Sequence, residues 1–448
     1  MKKYMDILTA VELKIAEGHY RAGQKLPSVR SAATEYGCSV STVIRAYSEL
    51  EKRHTIYSVA QSGYYVVGKE QKRDDSNDSP IIDFASVLPD VELFPYLDFQ
   101  HCLNKAIDIY KHQLFAYGEP MGLLKLRQTL SSHLGGDQVF TGADRIAIVS
   151  GGHQALEILA KMPFPNGKKN VLVEQPSYDL YLRFLEREGI PVRGIARTAQ
   201  GIDLKELEQQ FKGADIKFFY TMPRYHNPLG TSYSPEIRKA IARLAAKYDV
   251  YVVEDDYMAD LGEMQGYEPI YSYDLAFRVI YVKSFSKIIF PGLRLGAVVL
   301  PEPLISAFKQ HKIISDTSLL SQAALEVYIK NGMYERHRIK ISSHYAEKIA
   351  ALNEAVGIYN TANRVRLSDV CSGIYVQFKL PQNVNLERLM VRLEGRGIRA
   401  VSGKGFYLTG YLEREKFLRI SISRAGLSSI EEGVKAIIEE TERELPLP

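Results

Sequence analysis

Lys287 stands in the run Ser284-Phe285-Ser286-Lys287-Ile288-Ile289-Phe290-Pro291-Gly292-Leu293-Arg294, between serines and an apolar stretch. A lysine in such surroundings loses hydration, its amine is pushed toward the neutral form, and a neutral amine attacks carbonyls to form an imine. Ser284, Ser286 and Arg294 add two hydroxyls and a forked guanidinium, donors suited to phosphate oxygens. An acidic group, Glu254-Asp255-Asp256-Tyr257, closes the apolar run Val250-Tyr251-Val252-Val253. A carboxylate at the C-terminal end of a buried strand lies where open α/β sheets bind ligands, and there it can keep a ring nitrogen protonated. Asp255 is the first choice for that role and Asp256 the reserve. Ser150-Gly151-Gly152-His153-Gln154 follows another apolar run, Ile146-Ala147-Ile148-Val149, and opens a helix. Its glycines let the backbone approach an anion at the positive helix end.

An imine-forming lysine, an acid for a ring nitrogen and donors for a phosphate are three of the four things that pyridoxal 5'-phosphate asks of a protein, the fourth being an aromatic plate for the ring. No metal is expected: Cys38, Cys102 and Cys371 are far apart, with neither metal-ligand spacing nor a disulfide pattern.

These residues need a large scaffold. A chain of 448 residues, 46% hydrophobic and 25% charged, has room for two or three domains. It shows no signal-peptide core and no apolar run long enough to span a membrane, so a cytoplasmic protein is expected. The segment from Gly68 to Pro80 lacks aliphatic and aromatic residues, as a solvated linker does. Beyond it, short apolar runs, including Val171-Leu172-Val173 and Val279-Ile280-Tyr281-Val282, alternate with helical stretches such as Ser234 to Tyr248. That rhythm predicts an α/β fold with a mainly parallel sheet covered by helices. Before the linker, residues 1–70 carry ten lysines and arginines against seven acids, a small excess compatible with phosphate contacts. Tyr4 to Glu17 reads as an amphipathic helix. Ser28 caps a helix to about Tyr36, Gly37-Cys38 breaks it, and Ser39 caps a longer one from Val40 to about Lys52 with Val43, Ala46, Tyr47 and Leu50 inward. Strands Thr55 to Ala60 and Tyr64 to Val67 about Ser62-Gly63 complete a winged helix-turn-helix.

On Gly23-Gln24-Lys25-Leu26-Pro27-Ser28-Val29-Arg30, Gly37 to Val43, Ala46-Tyr47 and Ser62-Gly63, the first 68 residues resemble the GntR-type winged-helix regulators. The resemblance implies contacts to double-stranded operator DNA from Arg30, Ser39, Ser41, Thr42 and Gly63, with Arg45 on the same helix as a further phosphate or base contact. Val40 stands where that family commonly has arginine. From about Ile82 onward, Tyr117 to Gly122, Ser150 to Gln154, Glu174 to Tyr178, Pro223 to Gly230, Asp255 with Tyr257, Lys287 with Arg294, and Arg419-Ile420-Ser421-Ile422 follow the order of the fold type I aminotransferases. That resemblance implies ring stacking by Tyr178, contacts to the phenolic oxygen from Asn227 and Tyr257, Asp255 on the pyridine nitrogen, and Gly151, Gly152, Ser284 and Arg294 at the phosphate. Arg419 is then left for the carboxylate of an amino-acid ligand. His153 stands where relatives often have glutamine, and Tyr257 follows Asp255 by two residues where many aminotransferases space them by three.

A GntR-type reader joined to an aminotransferase-like domain resembles the MocR/GabR family of regulators. Three segments are expected: a DNA-binding domain over 1–68, a linker over 69–80, and a fold type I pyridoxal-phosphate domain over 81–448 with a smaller C-terminal α+β subdomain from about 325. The resemblance implies a domain-swapped homodimer that senses pyridoxal phosphate, or an amino acid or amine, through the imine on Lys287. The alternative is an active aminotransferase with an accessory N-terminal module.

Overall fold

The computed structural model describes residues 3–20, 23–53, 55–59, 62–66, 81–262, 266–312, 317–368, 370 and 372–445. The chain divides into two compact units, Met1–Ser79 and Pro80–Pro448. The expected linker over 69–80, Cys371 and the outer ends of the two wing strands at Ala60 and Val67 lie outside the described residues.

In the first unit, helix Lys3–Ala16 buries Ile7, Leu8 and Val11 in one cluster with Val43, Ala46, Tyr47 and Leu50 of helix Val40–Lys52. The apolar positions of the second helix recur every three or four residues, so they form one stripe. Capping follows the expected serines. The Ser31 amide donates to Ser28 Oγ at 3.2 Å ahead of helix Val29–Glu35, and the Thr42 amide donates to Ser39 Oγ at 3.2 Å. Gly37, at φ +56°, makes the left-handed break between them. Tyr47 drives its hydroxyl onto the Pro27 carbonyl at 3.1 Å, tying the second helix to the segment that enters the first. Strands Ile56–Val59 and Gly63–Val66 pair antiparallel behind them as a wing.

The second unit is built on an eight-stranded sheet in the order Ile146–Val149, Gly296–Val299, Val279–Ser284, Tyr251–Asp255, Ile216–Thr221, Asn170–Gln175, Val192–Thr198 and Gly201–Ile202. The central strands are buried along their length because helices cover both faces. Six strands, ending at Val149, Gln175, Thr198, Thr221, Asp255 and Ser284, run the same way and finish on one edge. The sheet is mixed, since Gly296–Val299 runs antiparallel to both neighbours. Its connection from Ser284 is too short for a crossover helix, and a short return forces an antiparallel strand.

A four-stranded antiparallel sheet, Arg366–Leu367, Tyr375–Lys379, Phe417–Ser421 and Val401–Ser402, forms a separate C-terminal layer with helices Met333–Tyr359, Leu386–Gly395 and Leu427–Glu444. The opening segment of the unit belongs to this layer: Ile82–Asp83 pairs with Ile398–Arg399, and Phe84 packs where a Cβ on Gly433 would lie 2.4 Å from its ring. Among the described residues no helix is long and apolar enough to cross a membrane.

Replacing Ser39 by alanine removes the cap of helix Val40–Lys52, which is expected to destabilise the first unit by about 1 kcal/mol. Hydrogen exchange of that helix checks it: amides of the first turn should lose protection, and unchanged protection would contradict the capping role.

Candidate functional site

The shared strand edge opens into a cavity of about 470 Å³, and every large-unit residue singled out for cofactor or carboxylate binding lines it, the reserve acid Asp256 excepted. Lys287, on the turn after strand Val279–Ser284, donates from Nζ to the Val87 carbonyl at 2.5 Å. Burial pushes its amine down to about 8, and the Arg419 cation adds to the shift. The amine is still mostly protonated at neutral pH, but far more of it is neutral and nucleophilic than in an ordinary lysine.

Asp255 ends strand Tyr251–Asp255 with its carboxyl buried. One oxygen accepts from the Tyr220 hydroxyl at 2.9 Å, and the other has no partner. Burial pushes the group up to about 7, the Tyr220 bond pulling down and neighbouring Asp256 pushing up. Asp256, the reserve choice, does not line the cavity. Its side chain is consumed by Arg224 Nε at 2.8 Å, by a second guanidinium contact and by the Tyr281 hydroxyl at 2.8 Å.

At the other end, Gly151 adopts φ +87° and opens helix Gly152–Lys161, whose first-turn amides lack intrahelical acceptors. A Cβ on Gly151 would lie a tight 3.3 Å from Arg294 Nη2, and its left-handed φ is one that favours glycine. Arg294 is itself left-handed at φ +52° and donates to the Ser150 carbonyl at 2.9 Å. A non-glycine residue held in that region stores strain, which tends to gather at functional sites. Ser284 and Ser286 line the same cavity. His153 sets its ring edge-on to Tyr178 at 6.2 Å and places Nε2 3.3 Å from Glu157, while burial lowers its pKa and favours the neutral ring.

Tyr178 stands at the start of helix Asp179–Arg187, Tyr257 donates to the Tyr225 carbonyl at 3.0 Å, and Asn227 Oδ1 is buried without a partner. Arg419, on strand Phe417–Ser421, lies 5.1 Å from the Tyr375 ring centroid; it donates from Nη2 to the Ala85 carbonyl, and its Nε is unpartnered.

Three features escaped the sequence reading. Tyr220, the partner of Asp255, lies within an apolar strand. The carbonyls of Ala85 and Val87 come from the segment that opens the unit. Glu174 is fully buried: one oxygen accepts from Arg197 at 2.6 Å, Thr221 at 2.7 Å and Tyr233 at 2.5 Å, and the other from the Met222 amide at 3.1 Å. His226 Nε2 lies 3.2 Å from that second oxygen. Glu174 thus joins the strand that delivers Tyr178 to the loop that delivers Asn227. An acid at the end of Val171-Leu172-Val173 was the available signal, because a buried carboxylate must have partners. Elsewhere, His133, Asp137 and Asp260 bring ligand atoms within 4.8 Å of one another, but Lys283 Nζ already bridges the two carboxylates at 2.8 and 3.0 Å.

In the first unit, Arg30, Ser39, Ser41 and Arg45 are exposed and Thr42 and Gly63 half-buried. Ser39 Oγ lies 2.8 Å from Ser41 Oγ and 2.7 Å from Thr42 Oγ1, gathering three hydroxyls at one helix start. Arg45 stacks 4.5 Å from the Tyr4 ring centroid, and Gly63 takes φ +123° in the wing.

Asp255 has a folded pKa above its ordinary value, so the folded state binds more protons than the unfolded one between about pH 4 and 7, and the group's contribution to stability falls as pH rises through that window. Asp255→Asn in cofactor-free protein is expected to gain on the order of a few kcal/mol over the parent at pH 7.5, with the gain vanishing below pH 4. Denaturant unfolding across pH measures it, and a pH-independent difference would contradict the assignment.

Residues 3–66 match the model of bacterial regulatory proteins of the gntR family, and residues 91–437 match that of aminotransferase class I and II. The uncharacterized HTH-type transcriptional regulator YcxD of Bacillus subtilis is 47% identical, over 98% of this chain and 99% of its own. Among solved structures, the kynurenine aminotransferase of Pyrococcus horikoshii, in complex with PMP, superposes with a TM-score of 0.76 at 27% identity over 82% of this chain and 92% of that one. LysN of Thermus thermophilus, an α-aminoadipate aminotransferase complexed with N-(5'-phosphopyridoxyl)-L-leucine, gives 0.72 at 26% over 82% and 94%. With both halves matched in order along one chain, this protein belongs to the aminotransferase class I and II family and carries a gntR-family helix-turn-helix in front of it, the architecture of the MocR/GabR-type regulators.

Proposed function

We propose that this chain is a cytoplasmic transcription regulator whose first unit binds operator DNA and whose second unit holds pyridoxal 5'-phosphate at Lys287, with an amino acid or amine as effector. The observation that supports it best is the cavity in which a depressed lysine amine and the free oxygen of a buried acid meet, in a chain that begins with a gntR-type module. The cofactor fits this cavity: Asp255 Oδ1, Asn227 Oδ1 and Arg419 Nε are buried polar atoms lacking partners, and Gly151 keeps the helix start open. When bound, pyridoxal phosphate supplies an aldehyde for amines and a ring that accepts electron density.

The chain's residues then divide the work. Lys287 provides the amine, and Asp255, braced by Tyr220, holds a proton on the ring nitrogen. Tyr178 covers the ring face, and Asn227 and Tyr257 face the phenolic oxygen. Gly151, Gly152, His153, Ser284, Ser286 and Arg294 form the phosphate end, and Arg419 takes a ligand carboxylate as a fork. The domain boundaries we favour are 1–68 for DNA binding, 69–80 for the linker and 81–448 for the cofactor domain, with a C-terminal subdomain from about 325. A homodimer, swapped between protomers, presents two recognition helices to paired half-sites, with Arg30, Ser39, Ser41, Thr42, Arg45 and Gly63 toward DNA. An effector moves such a system only by binding one arrangement more tightly than another. The completeness of the cavity supports a second reading, an active aminotransferase; sustained release of keto acid from amino-acid substrates would favour it.

Borohydride reduction of protein loaded with pyridoxal phosphate, followed by peptide mapping, is expected to place the label on Lys287 and to lose the yellow colour in Lys287→Ala. Label on other lysines alone would overturn the cofactor assignment. Arg30→Ala is expected to weaken operator binding about tenfold and to reduce the salt slope by about 1. An unchanged affinity and slope would remove Arg30 from the interface.

A further inference from the structure

Helix Val40–Lys52 leaves Val40 and Ile44 45% and 48% exposed, and neither joins the apolar cluster of the first unit. The two stand one turn apart, and with Ser41 and Arg45 they make one exposed face. The fold does not call for them: branching at Cβ lowers helix propensity, and an exposed position gains little from packing. Lone exposed apolar residues are ordinary, but this pair lies beside the gathered hydroxyls of Ser39, Ser41 and Thr42, on the helix that a helix-turn-helix of the gntR type turns toward DNA. The face is anchored at both flanks. Arg45 is stacked over Tyr4 of the first helix on one side. On the other, in line with Val40 and Ile44, Glu51 holds the wing by accepting from the Ser58 amide at 2.9 Å and its hydroxyl at 2.6 Å.

We infer that Val40 and Ile44 read thymine methyl groups in the major groove, so that the operator carries thymine opposite this face of the helix. The inference rests on the proposed operator binding by the first unit and names the base that it recognises there. In the major groove thymine presents a methyl group that cytosine lacks, while guanine presents two acceptors. A valine or isoleucine side chain set against the methyl removes apolar surface from water on both partners. Set against guanine, the same side chain strips water from the acceptors and returns no hydrogen bond. The χ1 of a β-branched residue in a helix is nearly fixed, so these methyls are in place before DNA arrives and little side-chain freedom is lost on binding. An arginine at position 40 would favour guanine instead.

The test selects DNA from a random pool with the full-length protein, then measures dissociation constants on the selected fragment with deoxyuridine in place of thymidine at one position at a time, in the parent, Val40→Ala and Ile44→Ala. The replacement removes the methyl and keeps the base pair. At one or more positions it is expected to weaken binding by the parent about three- to fourfold, with the salt slope unchanged because no phosphate contact is lost. One of the alanine variants should lose at least as much affinity for the thymine fragment and no longer respond to that replacement. Both variants should keep the parent's unfolding midpoint, since both side chains are exposed. A parent that ignores every replacement, or losses equally large in the parent and both variants, overturns the inference and leaves the operator reading standing. A protein that enriches no sequence from the pool contradicts the operator reading and the inference together.

Discussion

Holding an amine and a carboxyl out of water is the constraint around which the larger unit is arranged. A buried charge is expensive, so an isolated lysine and an isolated aspartate in one apolar cavity shift toward their neutral forms. Lys287 and Asp255 do so, the first falling to about 8 and the second rising to about 7. The strand edge can hold them there because each is given one fixed neutral partner, the Val87 carbonyl for the amine and the Tyr220 hydroxyl for the acid. Each keeps its remaining hydrogen-bonding capacity pointed at the cavity. Groups prepared in this way gain most from a ligand that restores the missing partner.

The surrounding sheet supplies the precision. Of the six strands that end together, five each deliver a different element of the cavity at the C-terminal end, as open α/β sheets do. Glu174 fastens two of these deliveries by accepting from donors on neighbouring segments, with its carboxyl held well below the ordinary range by the Arg197 guanidinium and by His226. In contrast to Asp255, it has its bonding filled from within the chain. Of these two buried acids, one is sealed for structure and the other is left incomplete toward the cavity.

Much of this was legible in sequence because the informative residues stand at the ends of apolar strands, where local pattern and function coincide. Lys287, the Gly151-Gly152 start and the serine caps at Ser28 and Ser39 are local features of that kind. The choice between Asp255 and Asp256 needed the structure, because adjacent residues at a strand end point to opposite sides and only the fold says which side is the cavity. Tyr220, the Ala85 and Val87 carbonyls and the pairing of Ile82–Asp83 with Ile398–Arg399 were not legible. They depend on which distant strands become neighbours. The antiparallel strand Gly296–Val299 was missed because periodicity reports burial and says nothing of direction.

A chain with a gntR-type reader and an aminotransferase-type cavity joins a buried lysine amine to a DNA-binding module in one polypeptide. The central claim is that chemistry at Lys287 governs DNA binding. The most direct measurement is fluorescence anisotropy on a DNA fragment that the protein itself selects from a random pool. It should be made with cofactor-free protein, with pyridoxal phosphate, and with pyridoxal phosphate plus an amino acid that shifts the absorption band, beside Lys287→Ala throughout. The account predicts a dissociation constant that changes with cofactor and ligand in the parent and stays fixed in Lys287→Ala. A constant that is the same in every state of the parent, or that moves equally in the variant, would contradict it.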